Sequence, residues 1–214
     1  MTYEIVADPS TTHAIVVGIE RYDAGWEPLS GAGSDARRFA DYLCAQGVEP
    51  ANIHLFISPL ADHEPLVTSS SPHALPATRE AVMSSITRLH QATGSLLVCY
   101  WSGHGISNLR GDRRVFFADA VDDDKKNLDL NSFLESLGST YFAGLRTHMV
   151  FVDACANFEE DMQWAFTTPG TEVALGDPLE AHQFVLYAAR QGQTARHHDT
   201  VEAGLFSREL LDAL

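Results

Sequence analysis

The 214-residue chain carries 29 acidic against 14 basic side chains, a net charge of −15 with the histidines neutral. So acidic a surface repels phosphate backbones and argues against nucleic acid as a partner. No apolar stretch approaches the roughly 18 residues of a membrane span, and 45% hydrophobic content suits a single core, so residues 1–214 read as one domain.

The first residues, Met-Thr-Tyr-Glu-Ile, have neither the basic nor the apolar region of a signal peptide. Three cysteines, an odd number without framework spacing, point to a reducing compartment, and the expectation is a cytoplasmic protein. The apolar run 13–19 predicts a central strand, followed by an amphipathic helix over 34–46 with Ser34 and Asp35 as capping-type residues. A second strand is predicted at 53–57, then a Pro- and Ser-rich surface excursion over 58–76. A helix over 77–92 with Thr78 at its start, a strand at 95–101 and an acidic turn at 119–127 come next. A helix over 131–137, strands at 147–153 and 183–189 and an amphipathic helix from 205 complete the order. That last helix ends on apolar Leu214 without a cap, which suggests a fragment of a longer protein. Strands alternating with helices imply an α/β fold, a mostly parallel sheet covered on both faces.

Two of these strands end in residues that carry chemistry. His104 closes the run Ser95-Leu-Leu-Val-Cys-Tyr-Trp101, and Cys155 closes His148-Met-Val-Phe-Val-Asp-Ala154. Ligands of open α/β sheets bind outside the carboxyl ends of the strands, so a thiol and an imidazole there would form a nucleophile and its base. Cys44 and Cys99, on a helix and inside a strand, read as small hydrophobes. The glycine-rich 30–34 could be taken for a phosphate cradle, but it lacks the lysine and the glycine spacing of nucleotide-binding loops.

Gly18-Ile-x-x-Tyr22, Leu29-Ser-Gly-Ala-Gly-Ser-Asp-Ala36, Ala77-Thr78, Tyr100-Trp-Ser-Gly-His-Gly105, Val152-Asp-Ala-Cys155 and Gly204-Leu-Phe-Ser207 occur in order. Together they resemble the caspase-like cysteine peptidases, in particular the prokaryotic relatives of metacaspases and paracaspases; in the caspase signature, too, the histidine precedes the cysteine by about fifty residues. The resemblance implies a three-layer caspase-like sandwich and endopeptidase activity. Cys155 is then the nucleophile, His104 the acid and base, and the backbone N–H groups of Gly105 and Cys155 the oxyanion hole. It further implies a pocket for the residue before the scissile bond, lined by Asp35 and Asp153 and selecting Arg over Lys, because two desolvated carboxylates need a cation between them. Against this, Asp35 could serve as a helix cap and Asp153 could bind loop backbone. Arg190 and Arg196 stand where aspartate-specific relatives read a carboxylate. An aspartate-specific peptidase, a non-catalytic adaptor and a thiol hydrolase or acyltransferase on the same dyad stay open.

Between Cys155 and Arg190 there is no Lys or Arg, so a basic-specific enzyme could not cut itself there. Self-cleavage is expected only at Arg110, Arg113, Arg114, Lys125 or Lys126. No metal site is expected, although Asp119, Asp122, Asp123 and Asp124 could supply oxygen ligands if calcium activates the enzyme, as it does some metacaspases. The partners implied are protein or peptide substrates and a regulatory protein or fused sensor domain, in bacterial stress, cell-death or defence signalling.

Overall fold

The computed structural model describes residues 7–64, 67, 71–108, 110–155, 170–190 and 204–213. The strands are β1 (Thr12–Ile19), β2 (Ile53–Ser58), β3 (Ala74–Leu75), β4 (Leu96–Gly103), β5 (Gly105–Ser107), β6 (Arg113–Phe116), β7 (Asn127–Asp129), β8 (Thr147–Ala154) and β9 (His182–Tyr187). Six form one parallel sheet in the order β3-β2-β1-β4-β8-β9, and β5-β6-β7 form a small antiparallel sheet. The helices are α1 (Ala32–Ala45), α2 (Arg79–Leu89), α3 (Leu130–Leu137) and α4 (Leu205–Ala213).

Alternation along β1 shows why the sheet is covered twice. Ile15, Val17 and Ile19 pack with Val82 and Ile86 of α2 and Leu130 and Phe133 of α3. Ala14 and Val16 pack with Ala36, Phe39 and Leu43 of α1, with Phe206 and Leu210 of α4 at the margin. Strands buried on both faces need continuous apolar runs, the pattern seen in the sequence. β4 is buried along its entire length. The three-layer α/β architecture expected from the sequence is therefore the one observed, and the predicted strands recur with ends moved by a few residues at most.

The starts of α2, α3 and α4 follow the sequence and that of α1 does not. The Thr78 side chain caps α2 by accepting from the Ala81 N–H, and that of Asp129 caps α3 by accepting from the Ser132 N–H. α1 begins earlier than expected, at Ala32, so Ser34 and Asp35 lie inside its first turn. Its capping position is Gly31, at φ +96°, which offers no side chain. The cap comes instead from β1's end. Glu20 Oε1 accepts from the Gly31 N–H at 3.0 Å and the Gly33 N–H at 3.2 Å. The close approach needs Gly18, where a Cβ would lie 2.3 Å from the Ala32 carbonyl oxygen. The strands β5, β6 and β7, three or four residues each, were not foreseen; they run on from His104 and form a ledge beside the sheet's carboxyl edge.

Candidate active site

β4 and β8 are parallel neighbours, with Ser102 opposite Asp153 and Gly103 opposite Ala154. One step further, His104 and Cys155 leave the two strands side by side, on chains about 4.8 Å apart. Gly105 lies against the same backbone: a Cβ on it would come within 2.9 Å of both the Ala154 Cβ and the Cys155 carbonyl oxygen. Cys155 is partly exposed and in no disulfide.

The imidazole is held from one loop. His104 Nε2 lies 2.9 Å from the Glu27 carbonyl oxygen. A carbonyl can only accept, so Nε2 is the donor and Nδ1 carries the lone pair of the neutral ring. The His104 N–H donates to the Tyr22 hydroxyl at 2.7 Å. The ring lies 4.9 Å from that of Tyr22 and edge-on to Trp26 at 5.8 Å. Tyr22 reaches this position because residue 103 is glycine; a Cβ there would sit 2.6 Å from the hydroxyl. Burial drives the Tyr22 phenol far above its ordinary range, countered by the His104 N–H and reinforced by negative charge on Cys155. Tyr22 thus stays a neutral phenol within electrostatic reach of Cys155. The Gly18 to Tyr22 motif and the glycine before His104 were visible in the sequence, but the parts played by Tyr22, Trp26 and the Glu27 carbonyl were not.

Asp35 and Asp153 converge next to this pair. Asp35 is fully buried, Asp153 is 6% exposed, and the two carboxylates feel each other's charge. The start of α4 bridges them. Gly204 N–H donates to Asp35 Oδ2 at 2.9 Å, and the Ser207 hydroxyl donates to Asp153 Oδ2 while paired with the Tyr100 hydroxyl. A Cβ on Gly204 would lie 2.3 Å from Asp153 Oδ2, so only glycine lets the backbone approach. Arg38, half exposed one turn along α1, reaches Asp35 Oδ1 at 3.5 Å. The Asp35 carboxyl is pushed up to about 6, chiefly by burial, with Asp153 and Glu20 adding to the rise against the Gly204 N–H and Arg38. Asp35 therefore does not cap α1.

Arg190 is exposed after β9, and Arg196 and the stretch 156–169 lie outside the described residues. In the acidic turn, Asp119 accepts from the Arg79 N–H and Lys126, and no group of three potential ligands with metal-binding geometry occurs among the described residues. No helix among them is long and apolar enough to cross a membrane.

A cysteine and a histidine at adjacent strand ends, beside buried acids, match a known family by sequence as well. Residues 11–214 match the caspase domain. The chain belongs to the caspase family of cysteine-type peptidases. It is 31% identical over 218 residues to a probable protease of a Desulfuromonadales bacterium, covering 94% of this chain and 25% of that protein. The chain thus spans about a quarter of the length of this relative. The fold is similar to that of caspase-1 from Spodoptera frugiperda, with a TM-score of 0.60 and 13% identity over 98% of this chain and 70% of that one.

Proposed function

We propose that the domain is an endopeptidase that cleaves protein substrates after arginine, and less readily after lysine, through Cys155 and His104. The Cys155 thiolate attacks the scissile carbonyl, and the oxyanion receives hydrogen bonds from the Gly105 and Cys155 N–H groups. His104 gives a proton to the leaving amine, and a thioester remains on Cys155. Water, losing a proton to His104, then releases the acid and restores the thiol.

The observation that carries the specificity is the burial of Asp35 and Asp153 side by side. A carboxylate held up to about 6 is costly to ionise in so buried a position, and an entering guanidinium offsets that cost with a fork that can meet both acids. A neutral or acidic side chain would bring no cation between the two buried acids and so could not offset that cost. Self-cleavage falls after Arg110, exposed in the turn between β5 and β6. Arg113 is instead engaged with the Ala189 carbonyl and stacked over Tyr187, and Arg114 is buried. The domain serves as the regulated effector of a longer protein in bacterial stress, cell-death or defence signalling; the much greater length of the bacterial relative supports a fused or bound regulator.

The test is hydrolysis of peptides differing only in Arg, Lys, Asp or Ala before the bond, with Cys155→Ala as control. Turnover in the order Arg, Lys, then the others, lost in Cys155→Ala, is expected. Preference for Asp would overturn the pocket assignment, and turnover surviving in Cys155→Ala would overturn the mechanism.

A further inference from the structure

Glu20, at the end of β1, is a fully buried carboxylate outside the catalytic set. Buried carboxylates persist only when their oxygens are satisfied, and this one accepts from four donors. Oε1 takes the Gly31 and Gly33 N–H groups, Oε2 takes the Leu60 N–H at 2.9 Å, and His63 Nδ1 lies 3.0 and 2.9 Å from the two oxygens. Three segments meet there: β1, the start of α1 and the turn Ala61–His63 after β2.

The link to the specificity pocket is short. Gly31, held by Glu20, accepts the Asp35 N–H at 2.8 Å, and Asp35 in turn holds the Gly204 N–H. Gly33 gives the carboxylate room, since a Cβ there would lie 3.2 Å from Glu20 Cδ. α1 has no cap of its own, and a negative charge at its N-terminus is favoured by the helix dipole. Without Glu20 the first turn loses two of its N–H partners, and the turn that frays carries Asp35.

We infer that Glu20, braced by His63, is a positioning residue for substrate selection: it caps α1 from the neighbouring strand and thereby fixes Asp35 in the pocket. The inference rests on the reading of Asp35 as a specificity residue. It assigns Glu20 no contact with the reacting atoms, so its loss is felt in the binding of the basic side chain rather than in the chemistry at Cys155.

Glu20→Gln keeps the volume but turns one accepting oxygen into an NH2 group facing N–H donors. With the full chain and an arginine peptide, KM is expected to rise about tenfold while kcat stays within about twofold. The rate of Cys155 alkylation by iodoacetamide, read by mass spectrometry on its own peptide, is expected to stay unchanged. A fall in kcat and alkylation with KM unmoved would overturn the inference. Should Glu20→Gln fail to fold, His63→Ala carries the same comparison, with a rise in KM of about threefold expected and none overturning it. Hydrogen exchange over residues 29–39 gives a readout independent of turnover. Faster exchange at the start of α1 is expected in either variant, and unchanged exchange overturns the inference. Wild-type protein without a preference for arginine, combined with faster exchange in the variant, would sink the pocket reading and leave Glu20's hold on α1 standing.

Discussion

His104 and Asp35 lie at the same edge of the sheet, but their supports come from different distances along the chain. Tyr22, Trp26 and the Glu27 carbonyl, which surround His104, belong to one loop after β1. The carboxylates depend on four separated segments: the end of β1 through Glu20, the first turn of α1, the end of β8 and the start of α4. A support built from one loop forms with little loop-closure entropy beyond that of β1 meeting β4, whereas one spanning Asp35 to Gly204 requires nearly the whole domain to be in place. On the proposed reading, changes at α4 or Glu20 would therefore retune which substrate binds while the His104 end keeps its geometry.

The sharpest way to break that comparison is to remove one acid. Asp153→Asn is expected to lower kcat/KM on arginine peptides about a hundredfold, because a desolvated cation then lacks one of its two partners. The alkylation rate of Cys155 is expected to stay within a few-fold. A parallel loss of both would show that pocket and dyad are one unit. On the other side, Tyr22→Phe keeps the ring packing and deletes only the hydroxyl that receives the His104 N–H. An unsatisfied buried donor costs about 1–3 kcal/mol, so kcat is expected to fall about tenfold with the Arg-to-Lys preference unchanged. A shifted preference would mean that the loop also shapes the pocket.

These contrasts also mark what the sequence could convey. The sheet was legible because strands buried on both faces, such as β4, leave apolar runs that nothing on the surface imitates. His104 and Cys155 stood out because each follows such a run, and the parallel register turns equal position along the strand into proximity. The start of α1 was misread because local capping patterns favour Ser34 and Asp35, whereas the cap is tertiary and comes from Glu20, a residue indistinguishable in sequence from a surface acid. β5, β6 and β7 are too short for a two-residue period to register. The roles of Gly103 and Gly204 are steric: each makes room for a group far away in the chain, a hydroxyl in one case and a carboxylate in the other.

The smallest expected effect concerns the stability cost of the pocket. Burial raises the Asp35 carboxyl from its ordinary value to about 6. Between pH 4 and 6 the folded protein then binds more protons than the unfolded chain, so this group's contribution to stability falls as pH rises through that window and stays low above it. Asn in its place cannot ionise but keeps an oxygen for the Gly204 N–H. Asp35→Asn is therefore expected to melt about 2–4 °C above the parent at pH 8 and no higher than the parent at pH 4, while losing most of its arginine selectivity. Thermal melts of both proteins at the two pH values check this. A variant less stable than the parent at pH 8 would mean that the ionised carboxylate is stabilising, through Arg38 and Gly204, and that the pocket is not held in readiness for a cation at the fold's expense. The opposite outcome would place Asp35 among residues kept for what they bind rather than for what they stabilise.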